Sequence, residues 1–139
     1  MDGLHLTADL HACPGGSAPM TDPAALRALC LAEVERAGLQ AVGELFHRYA
    51  PATRQPGDPP PTAPAGVTGV VLLAESHLAV HTWPELGAVT LDVYVCNFGA
   101  DNSARARRLL DALVAAFAPG AVERHSLWRG TGLAPEAAA

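Results

Sequence analysis

The sequence contains no lysine; all nine of its basic residues are arginine. A pyridoxal phosphate enzyme needs a lysine to hold its cofactor, and a Schiff-base aldolase needs one as nucleophile, so both chemistries are excluded. Cysteine is scarce as well. Cys13, Cys30 and Cys96 are odd in number and widely spaced, which gives neither a disulfide framework nor a zinc pattern and predicts a reducing, cytoplasmic setting. Positive charge is sparse: the net charge is -5, and the only basic cluster is Arg105, Arg107 and Arg108. No nucleic-acid partner is expected on that balance. No apolar run reaches the length of a membrane span, and the N-terminus does not read as a signal peptide, so no membrane partner is expected either.

What is present is a chain of 139 residues, 50% hydrophobic, the size of one domain with a real core. Residues 3 to 12 alternate Leu4, Leu6, Ala8 and Leu10 with His5, Thr7, Asp9 and His11, the pattern of a strand. Thr21-Asp22-Pro23 starts a helix, in which Leu26, Leu29, Cys30, Val34 and Ala37 recur at helical spacing, and Gly38 closes it. Strands are predicted at about 40 to 49, 67 to 74, 77 to 82, 88 to 96 and 121 to 128. A second helix begins at Asp101 or Asn102, carries Leu109, Leu110, Leu113, Val114 and Phe117, and stops at Pro119-Gly120. Residues 51 to 66 hold six of the twelve prolines and predict an exposed loop; the tail ending Ala137-Ala138-Ala139 is expected to fray. The order β-α-β-β-β-α-β predicts an α+β fold: a two-layer α/β sandwich, with a ferredoxin-like antiparallel sheet and two helices on one face. Such a sheet leaves one face and its edges uncovered, for which a homodimer is a natural solution.

Residues 74 to 85, A-E-S-H-L-A-V-H-T-W-P-E, crowd nucleophilic and titratable groups into a strand and its turn. Singly, each has a plain explanation. Ser76 is a turn serine, and Trp83-Pro84 is a rigid turn with an aromatic plug. His77 and His81 lie on one face of a strand, about 13 Å apart, too far to share an ion directly. Among the six histidines no strong ligand spacing appears, so no metal is expected. Cys96 ends the strand L-D-V-Y-V-C, where a free cysteine is more often core than catalyst.

Together these residues resemble the S-adenosylmethionine decarboxylase proenzyme family, in its small prokaryotic, pyruvoyl-dependent form. The resemblance lies in L-H-L-T-A-D-L (4 to 10), F-H-R-Y (46 to 49), G-V-T-G-V-V (66 to 71), the 74 to 85 stretch and L-D-V-Y-V-C (91 to 96). It covers most of the chain outside the proline loop and the tail, and E-S-H-x-x-x-H-T-W-P-E is highly specific. It implies self-cleavage between Glu75 and Ser76 into a β chain (1–75) and an α chain (76–139). Ser76 Oγ would attack the Glu75 carbonyl; elimination of the resulting ester and hydrolysis would leave a pyruvoyl group derived from Ser76, with release of ammonia. That ketone would replace the missing lysine chemistry, taking the substrate's α-amine and its electrons as CO2 leaves.

The supporting roles are carried over position by position. Thr68 stands where the family commonly has Ser and would donate to the oxyanion during the acyl shift. His81 matches the processing base, and Cys96 the proton donor of turnover. Glu85 matches a carboxylate that accepts from the ribose hydroxyls, and Tyr49 an aromatic that stacks on adenine. Asp9 lies near the implied pocket where Glu is frequent, and C-N-F-G (96 to 99) replaces the usual C-G. The resemblance thus implies a decarboxylase of S-adenosylmethionine whose product donates aminopropyl groups for spermidine. The same machinery acting on arginine or ornithine is the alternative, and a non-catalytic binding homologue is a further one.

Overall fold

The computed structural model describes residues 2–49, 55–59 and 65–130. The tail expectation lies outside them, as does most of the 51 to 66 loop. Six strands form one sheet: β1 (Asp2–His11), β2 (Ala41–Arg48), β3 (Val67–Leu73), β4 (Ser76–Trp83), β5 (Ala88–Cys96) and β6 (Ala121–Gly130). Their spatial order is β2-β3-β4-β5-β1-β6, and every neighbouring pair is antiparallel. The helices are α1 (Ala18–Thr21), α2 (Pro23–Arg36) and α3 (Ser103–Phe117), with a 3-10 turn at Pro84–Leu86. The α+β expectation holds. The one-turn α1 was not expected, and Trp83-Pro84, read as a rigid turn, opens a 3-10 turn; Pro19 and Pro84 each occupy the first turn, where a missing N–H costs nothing.

The helices begin and end for local reasons. Asp22 caps α2 by accepting from the Ala24 N–H at 3.0 Å. Gly38, just beyond its last turn, adopts φ 81°, a conformation open to glycine at little cost. At α3, the carboxylate of Asp101 accepts from the Ser103 N–H at 2.9 Å, which with the Ser103 side chain lowers the Asp101 pKa.

Strand alternation divides the sheet into two faces. Leu4, Leu6, Ala8 and Leu10 of β1, Leu78 and Val80 of β4, and Val89, Leu91, Val93 and Val95 of β5 are buried in one core with Leu26, Cys30 and Val34 of α2 and Leu109, Leu113 and Phe117 of α3. α2 packs on β2 and β3, α3 on β1 and β5, and the two helices on each other. Burial pushes the Cys30 thiol up to about 12, the mark of an inert core cysteine. Thr82 is the exception among the inward residues: its hydroxyl accepts from Val67 N–H at 2.9 Å and donates to Met20 carbonyl at 2.8 Å, tying β3, β4 and α1 together. Among the described residues, no helix is long and apolar enough to cross a membrane.

Among the described residues, the second face carries no helix. Its residues fall into cross-strand rungs fixed by the register. One rung runs Leu72, His77, Tyr94, His5, Leu127; another runs His47, Thr68, His81, Thr90, Asp9, Glu123. Leu45, Leu72 and Leu127 are more than half exposed on this face.

Candidate active site

The β3–β4 connection is a two-residue turn, since Leu73 pairs with Ser76 and only Ala74 and Glu75 lie between. Glu75 sits at φ 58°, in the left-handed region, where a side chain costs roughly 1–2 kcal/mol that glycine would avoid. The next residue, Ser76, has its Oγ held as acceptor by the Cys96 N–H at 2.9 Å. That bond fixes the hydroxyl beside the end of β5 and favours negative charge on its oxygen. Glu75, Tyr94, Cys96 and Phe98 line a shallow depression of about 330 Å³ at this end of the sheet.

The departure C-N-F-G has a structural explanation. Asn97 donates its backbone N–H to the Asp2 carbonyl at 2.7 Å and uses its side chain on Asn102 N–H (2.8 Å) and Ser103 Oγ (3.1 Å). Asn102 in turn donates to the Cys96 carbonyl at 2.9 Å. The two asparagines clamp the end of β5 to the start of α3, and Phe98 projects from the bend as a largely exposed ring.

A second constellation lies on the open face toward the other end of β4. Thr68 and His81 face each other across β3 and β4, with Thr68 Oγ1 2.9 Å from His81 Nδ1. Tyr49 brings its hydroxyl to 3.0 Å from Thr68 Oγ1. The result is a chain Tyr49–Thr68–His81. For His81 to work as a base through Nε2, its Nδ1 must carry the proton and donate to Thr68; if Tyr49 also donates to Thr68, the one Thr68 hydroxyl proton is free for another acceptor. The Trp83 ring lies 5.9 Å from the His81 ring, and Asp9 belongs to the same rung two strands away. Glu85 lies in the 3-10 turn beyond Trp83, exposed.

The structure therefore joins Ser76 with Cys96 and Glu75, and joins Thr68 with His81 and Tyr49, but it does not join the two groups. Ser76 and His81 are five residues apart on one strand, which places them about 16 Å apart and on opposite faces. Sequence reasoning missed Tyr94 and Phe98 at the first group. Tyr94 was legible only as one of the outward residues in L-D-V-Y-V-C, and Phe98 as part of the unexplained insertion.

Comparison with known proteins gives a consistent result. The family model described as S-adenosylmethionine decarboxylase matches residues 4–130. The S-adenosylmethionine decarboxylase proenzyme of Aquifex aeolicus is 31% identical over 128 residues, covering 92% of this chain and 81% of the relative. That of Persephonella marina is 31% identical over 129 residues, covering 93% and 83%. The crystal structure of the adenosylmethionine decarboxylase from Aquifex aeolicus superposes with a TM-score of 0.76 at 30% identity, covering 94% of this chain and 92% of that one.

Proposed function

Because the chain belongs to the S-adenosylmethionine decarboxylase family, we propose that it is a self-processing, pyruvoyl-dependent decarboxylase of S-adenosylmethionine, acting in the cytoplasm and supplying an aminopropyl donor for spermidine synthesis. The observation that carries this reading is the Glu75–Ser76 junction: a left-handed turn residue followed by a serine whose Oγ is held by the Cys96 N–H. The relatives compared above bear the name S-adenosylmethionine decarboxylase, and neither arginine nor ornithine finds support among them.

Processing begins when Ser76 Oγ attacks the Glu75 carbonyl carbon. The C–N bond breaks, the nitrogen takes the hydroxyl proton, and an ester links the two halves. Loss of the Ser76 α-proton to His81 expels Glu75 as a free carboxylate. Water then replaces the nitrogen, which leaves as ammonia. Thr68, bonded to His81, is the hydroxyl assigned to the oxyanion of the first step.

The residues around Ser76 fit the group that results. The depression is walled by Tyr94 and Phe98 and open to a substrate, and no lysine exists to compete for the role. When formed, a pyruvoyl carbonyl supplies an electron sink for the loss of CO2. The chain's own residues do the rest. Cys96 Sγ holds the proton that returns to the substrate α-carbon. Tyr49 offers a face to adenine, Glu85 a carboxylate to the ribose hydroxyls, and Asp9 a negative charge to the substrate cation.

The roughly 16 Å between Ser76 and His81 along the strand makes a single chain insufficient, and a homodimer resolves it. Two open faces stacked about a two-fold axis that lies in the interface and runs across the strands would bring the first residue of β4 in each copy, at the strand end where Tyr94 and Cys96 open the depression onto that face, to the His81 end of the other. Leu45, Leu72 and Leu127 are the exposed apolar residues such stacking would cover.

Intact-mass analysis of the purified protein is expected to give fragments 1–75 and 76–139, the second with a blocked N-terminus. Release of labelled CO2 should follow from carboxyl-labelled S-adenosylmethionine and not from arginine or ornithine. An uncut chain after prolonged incubation would refute the processing; preference for arginine or ornithine would refute the substrate.

A further inference from the structure

Three titratable side chains on the open face take no part in the chemistry above. His77 on β4, Asp92 on β5 and His5 on β1 come from three consecutive strands of the sheet. His5 Nε2 lies 2.6 Å from Asp92 Oδ1, and His77 Nε2 lies 3.5 Å from the same oxygen. One donor atom from each of the three residues falls within 4.8 Å of the others. All three are partly buried, and Tyr94, between the two histidines on their rung, packs against both rings at 6.0 and 5.7 Å. The ligand positions are thus set by hydrogen-bonded strands and a shared aromatic contact, with no loop involved.

We propose that His5, His77 and Asp92 form a binding site for a divalent transition-metal ion of the zinc, cobalt or nickel kind. Two imidazole nitrogens and one carboxylate oxygen suit such ions, whereas magnesium and calcium favour all-oxygen sites. With metal–ligand bonds of about 2.0–2.2 Å, neighbouring tetrahedral donors sit roughly 3.3–3.5 Å apart. The His77–Asp92 pair already has that spacing, and the His5–Asp92 pair needs to open by less than about 1 Å. The ion would stand where the hydrogen-bonding proton between His5 and Asp92 now stands. Three protein ligands leave a coordination position free for water. The site adjoins the reacting end, since His77 follows Ser76 and Tyr94 lines the depression, yet its three ligands are distinct from the residues assigned to processing and turnover. It stands independently of the decarboxylase reading.

The test is a titration of the full-length protein with Co²⁺, read by its visible d–d bands, and with Zn²⁺, read by calorimetry. One ion per chain is expected. Affinity should fall at least about tenfold in Asp92→Asn and in His77→Ala, since loss of even a supporting partner of a ligand typically costs 10- to 100-fold. Asp92→Asn keeps the side-chain shape, so it carries the test if His77→Ala fails to fold. His125→Ala, which removes a separate exposed His–Glu pair, should bind as the unaltered protein does. Absence of stoichiometric binding, or binding unchanged in Asp92→Asn, would overturn the assignment.

Discussion

The split between Ser76 and His81 can be tested by mixing two defective chains. Five residues of strand at about 3.3 Å each separate their backbones by about 16 Å, against the 2.6–3.2 Å that direct proton transfer requires. Rotamer changes cannot close that gap, because the two side chains point to opposite faces. Ser76→Ala keeps the Thr68–His81 pair but has no nucleophile; His81→Ala keeps Ser76 and Cys96 but has no base. Alone, Ser76→Ala should remain uncut, and His81→Ala should cleave about 10²- to 10⁴-fold more slowly than the unaltered chain, the usual worth of a positioned base. Co-expressed in equal amounts, the chains assort into dimers of which about half are mixed, and each mixed dimer holds one complete site of the two. About half of the Ser76-bearing chains should then cleave at the normal rate. Intact mass resolves the two chains, so the cut can be assigned to the His81→Ala partner. If the mixture cleaves no faster than His81→Ala alone, the completion of the site by a second copy is wrong.

Other perturbations separate the remaining roles. Cys96→Ala should still cleave but lose most decarboxylation, measured as CO2 release from a fully processed sample. Tyr49→Ala should raise KM for S-adenosylmethionine about 5- to 150-fold, from the 1–3 kcal/mol typical of base–aromatic stacking, whereas Tyr49→Phe should spare KM and slow self-cleavage by breaking the bond to Thr68. Thr82→Val should lower unfolding free energy by about 1–3 kcal/mol in urea melts, because Val67 N–H and Met20 carbonyl lose a buried partner. Iodoacetamide should leave Cys30 unmodified in the native protein, since the thiol with a pKa of about 12 is fully buried, and label it only after unfolding.

The architecture was legible because most strands declare themselves by alternation. In β1 every second residue is apolar and buried, so face and register follow from composition. Element ends were less legible. The last strand extends to Gly130 because it pairs with β1 back to Asp2, a long-range contact that local pattern does not encode. The short α1 escaped for a related reason: proline marks a break in a pattern and also a favourable first turn, and only the tertiary setting decides between them.

The candidate site was legible as a set of residues, and its division into two groups was hidden. Linear proximity suggests that Ser76 and His81 act together, yet strand parity says otherwise. Residues 77, 79, 81 and 83 share the open face, and 76 does not. The pairs that do touch, Thr68 with His81 and Ser76 with Cys96, are 13 and 20 residues apart in sequence. Sheet register decides those contacts, and register is set by the apolar residues of the hydrophobic face, such as Leu78, Val80, Leu91 and Val93. The same holds for His5, His77 and Asp92, whose spacing along the chain shows no ligand pattern because each comes from a different strand. In a sheet protein of this kind, motif spacing singles out candidate residues. Which residues meet is decided by the core that aligns the strands and, for Ser76 and His81, by the second copy proposed to cover the open face.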